Sequence, residues 1–144
     1  MKPLRLEHIL SRHQVWFETL GNAGRKAELN QCDLQCANLK TAVLVEADLQ
    51  EANLHRADLA QADLRGANLR DATLTEAKLQ HANLEETDLT WADLRGANLE
   101  GANLSGTYLQ GADLRGALGL SRVQLHRAVV DEDTQLPRNL SPAS

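Results

Sequence analysis

Leucine recurs at every fifth position from Leu29 to Leu114, eighteen times without a miss. Alanine stands two residues before each of these leucines, except at Cys32, Thr87 and Thr107. Between them lies mostly Asp or Asn, as in Asp48-Leu49, Asn53-Leu54 and Asp58-Leu59. The unit is Ala-(Asp/Asn)-Leu-x-x. Five residues advance an α-helix by about 500°, so successive leucines would share no common face. Side chains on a flat strand alternate with period two, so an odd repeat would throw each leucine to the opposite side. A short extended piece with one bend per repeat satisfies the pattern. Ala and Leu then point the same way, Asp/Asn points out, and the two x residues make the corner. Corners that all turn alike coil the chain into a solenoid with Ala and Leu inside.

The motif resembles that of the pentapeptide repeat family, A(D/N)Lxx, over residues 27–117. The resemblance implies an all-β solenoid, a right-handed quadrilateral β-helix in which four repeats make one coil. Eighteen repeats then form about 4.5 coils, a rod on the order of 22 Å long at the spacing of hydrogen-bonded strands. In this register Leu29, Leu49, Leu69, Leu89 and Leu109 stack on one face, and Thr87 lies beside Thr107. The alanine column is steric, because a larger side chain there clashes across a narrow coil.

Open solenoid ends expose apolar core and unpaired strand edges, and so need covering. The spacing of Leu6, Ile9, Leu10, His13, Trp16, Phe17 and Leu20 predicts an amphipathic helix over 4–20, with Pro3 in its first turn and Gly21 as its stop. Trp16 and Phe17 close that end, and His13 is a packed histidine. Ser121 and Gln124 form a capping box for a short helix from Arg122 to Val129, with Leu125, Ala128 and Val129 on its apolar side. Gln135-Leu136-Pro137 reads as an extended return segment and residues 140–144 as a frayed tail. The organisation expected is one structural domain: an N-terminal helical cap (1–26), the pentapeptide-repeat β-helix (27–117), and a C-terminal cap and tail (118–144).

The 144-residue chain carries 42% hydrophobic residues but only 3% aromatics, in keeping with a core of small side chains at regular spacing. No apolar run approaches a membrane span, and residues 1–13 lack the apolar centre of a secretory signal. Two cysteines make no disulfide framework. Cys32 should face inward and Cys36 outward. A cytoplasmic location is expected. The charge is uneven: +3 over 1–26, −8 over 27–117 and zero over 118–144. The acidic balance argues against direct nucleic-acid binding, and the rod's charge either follows from the repeat's use of Asp and gives solubility, or presents an acidic surface to a basic partner. A filled solenoid offers no concave pocket for catalysis, and the histidines, among them His55 and His81, show no metal-ligand spacing. No catalytic, cofactor or metal residue is assigned.

What remains are exposed departures from the motif. Trp91 occupies a corner and Tyr108 an Asp/Asn position, and from Gly96 to Gly116 every second corner residue is glycine. Trp91 lies over Gly111 in the 20-residue register. Trp91 either folds flat on Gly111 as local packing or is exposed for contact, and Trp91 and Tyr108 are the candidate partner contacts. Val43 and Val45 form a smaller apolar spot on the first coil, either open to contact or covered by the cap region. The expected function is a non-enzymatic protein-binding or scaffold module for an unidentified protein partner, monomeric or weakly dimeric through a coil end. The resemblance also implies an alternative: some family members protect DNA gyrase as mimics of duplex DNA, so a DNA-mimic modulator of DNA gyrase or another topoisomerase is the second expectation. The chain departs from those members in having leucine at all eighteen centres and no loop between repeats.

Overall fold

The computed structural model describes residues 3–141, and side chains from Arg5 onward. Parallel bridges join each Asp/Asn position to the one 20 residues on, from Glu28 with Asp48 to Asn98 with Leu118. Four repeats therefore separate hydrogen-bonded neighbours. These bridges are isolated, and among the described residues no longer strand forms, because a corner interrupts the chain every five residues. The bridges define four outer faces. Face I carries Glu28, Asp48, Asn68, Asp88 and Tyr108; face II carries Asp33, Asn53, Thr73, Asp93 and Asp113. Face III carries Asn38, Asp58, Lys78, Asn98 and Leu118; face IV carries Val43, Asp63, Asn83 and Asn103.

The repeat 47–51 shows why the sequence takes this shape. The Ala47 N–H donates to the Leu44 carbonyl (3.0 Å), closing the corner, and the Asp48 N–H reaches back to Ala27 (3.0 Å). Leu49 and Glu51 donate forward to Asn68 (2.7 Å) and Arg70 (2.9 Å). The remaining N–H, of Gln50, is taken by Asp48 Oδ1 at 3.1 Å. Asp or Asn is thus preferred because its side-chain oxygen accepts from the backbone two residues on. The same bond recurs from Asp33 through Asn68 to Asp113.

All eighteen second corner residues have φ between 55° and 71°, and twelve of them are not glycine. With the first corner residue outside that region, these are type II turns. A left-handed non-glycine residue costs about 1 kcal/mol, offset here by a fully bonded backbone. Inside, the eighteen leucines are all buried. The Thr87 and Thr107 hydroxyls, buried as expected, donate to the carbonyls of Leu64 and Leu84, each at 2.7 Å. Cys32 is half-buried and Cys36 exposed, and both are free thiols.

The two helices are α1 (Pro3–Glu18) and α2 (Arg122–Arg127). Leu6, Ile9 and Leu10 of α1 pack on the leucine core. His13 is 0% exposed, stacks on Trp16 (5.3 Å between centroids), and accepts the Ala27 N–H on Nδ1 at 3.0 Å. Burial holds its pKa below the ordinary histidine value, against the raising effect of the Val45 backbone. Leu20 does not belong to the apolar stripe. The helix ends two residues earlier, where the Thr19 hydroxyl bonds the Val15 carbonyl, and Leu20 turns left-handed (φ 52°) and is 91% exposed. Trp16 and Phe17 are half-buried.

At the other end the Ser121–Gln124 capping box is present. Gln124 Nε2 also donates to the carbonyls of Leu99 (2.8 Å) and Ala102 (3.1 Å). Val129 corrects the expected helix: α2 stops at Arg127, and Val129 instead extends face I by bridging Tyr108. Gln135 bridges Asp113, so the return segment is extended as expected. Leu140 is a second correction, since it is buried rather than frayed. The rest of the expected tail, 142–144, lies outside the described residues.

Candidate functional site

Trp91 and Tyr108 come to the same end of face I. Trp91 stands at the corner that follows Asp88 and Thr90, and Tyr108 bridges Asp88 one coil further on. They are 54% and 43% exposed. The Trp91 ring lies flat over Gly111: a Cβ built on that glycine would meet the indole at 2.4 Å. Gly111 is buried beneath it. The Gly111 N–H donates to Asp131 Oδ1 at 3.0 Å. That oxygen also accepts from the Asp133 and Thr134 N–H groups. Asp131 thus substitutes for the carbonyl that a further coil would supply. Burial pushes its carboxyl up, but the Gly111 N–H, the Thr134 hydroxyl and the other two N–H groups outweigh that and hold it below the usual carboxylate range.

Val129, exposed and bridging Tyr108, continues this apolar area, while the exposed Val130 lines the end groove with Leu125, Leu136 and Leu140. The sequence signal for Val129 was its place just ahead of the acidic run 131–133, where the helix was expected to end. Asp131 was missed because the acidic run was read only as the lead into the return segment. Its signal was the Asp131-x-x-Thr134 spacing, which suits a side chain bonding its own backbone.

Most of the acidic excess of the repeats borders this same face. Glu28, Asp48 and Asp88 lie on it, Glu51 and Asp71 at one edge, and Glu46, Glu85 and Glu86 at the other, against Arg65 and Arg70 among the repeat cations. Face II is different, because its charges are paired. Arg95 and Arg115 clamp Asp93 and Asp113 through Nε and Nη2 at 2.6–2.9 Å. Arg95 also reaches Asp113 (3.7 Å). The hydrogen bond from Arg95 holds the Asp93 carboxyl below its usual range, and that from Arg115 does the same for Asp113. Arg65 repeats the clamp on Asp63.

The grooves lined by described residues lie at the two ends and beside Val45, where Phe17 meets the repeats. Val43 and Val45 are half-buried there. His55 bonds Thr75 (2.7 Å) and His81 lies over Gly101. Among the described residues no group of three His, Cys, Asp or Glu side chains is placed to hold a metal ion. No helix is long and apolar enough to cross a membrane.

The model of the family of pentapeptide repeats matches residues 25–59, 52–90 and 82–118, in 8 copies. The chain belongs to the pentapeptide repeat family. Solved structures agree. A pentapeptide repeat protein from Nostoc PCC 7120 aligns with 91% of this chain and 86% of its own, at 28% identity and a TM-score of 0.63. Rfr23, from the cyanobacterium Cyanothece 51142, is 34% identical over 67% of this chain, with a TM-score of 0.59. The alignment spans 65% of the Rfr23 chain. A pentapeptide repeat protein of the Arabidopsis thaliana thylakoid lumen is 31% identical over 68% of each chain, with a TM-score of 0.59. No curated protein matches this chain.

Proposed function

We propose that this pentapeptide repeat protein is a non-enzymatic binding module that presents face I to a protein partner. In this proposal the rod is a right-handed quadrilateral helix of about 4.5 coils, covered by α1 at one end and by residues 118–141 at the other. The acidic half of face I steers a basic partner, and Trp91 and Tyr108 supply apolar contact area.

The observation that carries the proposal is where the two aromatics sit. Trp91 holds a left-handed corner (φ 59°) in the coil below a run of glycines. Tyr108 holds a position where Asp or Asn would accept the Gln110 N–H, so that bond, worth about 1 kcal/mol, is forgone. Two rings, both exposed and at one end of one face, form an apolar contact area. Trp and Tyr bring large apolar area with little entropy to lose.

An affinity pull-down from extract of the source cell tests this, with Trp91→Ala/Tyr108→Ala alongside the wild type. The expected result is a specific partner whose recovery falls in the double variant. Equal recovery by both proteins refutes face I as the surface. The alternative, a DNA-mimic modulator of DNA gyrase, draws on the same acidic face. A supercoiling assay separates the two, since only the mimic protects or inhibits the enzyme.

A further inference from the structure

Against the acidic rod, one end of the molecule is basic. Arg5, His8, Ile9 and Arg12 lie at i, i+3, i+4 and i+7 of α1, hence on one helix face. That face, with Arg25, Lys26 and Glu28, lines a groove of about 350 Å³. Four cations meet one carboxylate there. Arg25 pairs with Glu28 at 3.7 Å, and Lys26 pairs with Glu46 at 3.8 Å while lying 5.7 Å from the Trp16 ring. Among the described residues Arg5 and Arg12 have no carboxylate partner. Glu7 lines the other groove, on the opposite side of α1. The first turn of α1 carries no acidic residue to offset the positive end of the helix.

We infer that this groove docks a short acidic peptide segment of a partner protein, with its carboxylates on Arg5 and Arg12 and an aliphatic side chain against Ile9. The surroundings set the size of the ligand. Glu28 and Glu46 border the groove, and Asp48 continues face I immediately beyond it. A long polyanion such as duplex DNA would run onto that acidic face within a Debye length of about 8 Å. A short segment would not. The half-buried Ile9 also suits a peptide better than a bare phosphate. This surface is separate from the Trp91 end of face I, so the module would hold two partners of opposite charge.

The test is fluorescence anisotropy with a short fluorescein-labelled peptide of Glu, Asp and Leu. Arg5→Glu/Arg12→Glu is compared with Lys40→Glu/Lys78→Glu, which makes the same charge change on face III. All four side chains are exposed, and thermal unfolding of each variant checks that it is folded. Expected are saturable binding that weakens with salt, a loss of about tenfold or more in Arg5→Glu/Arg12→Glu, and little change in the control. Equal losses in both variants overturn the proposal, as does equal binding of a peptide with Gln and Asn for Glu and Asp. Duplex DNA that displaces the peptide at comparable phosphate concentration makes the groove a general polyanion site and also overturns it. So does sedimentation showing a self-associating wild type and a monomeric Arg5→Glu/Arg12→Glu, which gives the groove to a second copy.

Discussion

Replacing Gly111 by Ala should destabilise the protein far more than replacing Gly96 by Ala. Both glycines hold left-handed corners, with φ of 70° and 69°, so a Cβ costs about 1 kcal/mol of backbone strain at either site. At Gly96 the added carbon meets Glu76 Cγ at 3.5 Å, an ordinary contact. At Gly111 it meets the Trp91 indole at 2.4 Å, and the ring must move. Displacing a packed side chain in this way costs about 1–3 kcal/mol. Gly96→Ala should therefore lose about 1 kcal/mol, and Gly111→Ala about 2–4 kcal/mol, from the two principles together. Urea unfolding with a common slope measures both. Adding Trp91→Ala completes the double-mutant cycle: in that background Gly111→Ala should fall back to about 1 kcal/mol of strain. Equal losses for the two single variants would show that Trp91 does not rest on Gly111, and the fixed aromatic platform would be lost from the account.

Three other outcomes follow from the same geometry. His13 is neutral when buried, with Nδ1 accepting from Ala27, and its pKa is lowered. Its contribution to stability is therefore whole above the unfolded value of about 6.5 and declines as pH falls below it. Urea midpoints should drop between pH 8 and pH 5 in the wild type, and His13→Gln should lose that slope. Asn98 Oδ1 accepts the Glu100 N–H at 3.1 Å, so Asn98→Ala should cost about 1 kcal/mol in urea unfolding while Asn98→Asp costs much less. The lowered carboxyls of Asp93, Asp113 and Asp131 contribute stability above their unfolded values that is lost as pH falls through the folded ones. Acid titration followed by circular dichroism should thus show Asp131→Ala unfolding with a shallower pH dependence than the wild type.

The repeat was legible because period five admits few solutions, and because Ala and Leu mark its inner column at every step. The corners were legible as corners but not as left-handed ones. Gln31, Arg56 and Trp91 give no local sign of positive φ, which is imposed by the bonds to the next coil. The ends were harder. Leu20 keeps the helical spacing past the point where Thr19 ends the helix. Val129 and Leu140 are placed by what remains unpaired or uncovered in the last coil, and their own neighbours in sequence do not encode that. At the candidate site Trp91 and Tyr108 stood out because they break a strict pattern. Asp131 and the cations around α1 lie outside the repeat, where no pattern existed to break.

The most direct test of face I as a binding surface uses motif-compatible neutralisation. Asp48→Asn/Glu51→Gln/Asp88→Asn keeps the side-chain oxygens that bond Gln50 and Thr90 N–H groups, so the coil is retained while three charges are removed. Asp58→Asn on face III, which keeps its oxygen for Ala60, is the control. Calorimetric titration of the captured partner should show affinity falling about tenfold or more for the face I variant and staying unchanged for the control, with the difference shrinking at high salt. Equal affinity for both variants would contradict the claim that the partner is held on face I.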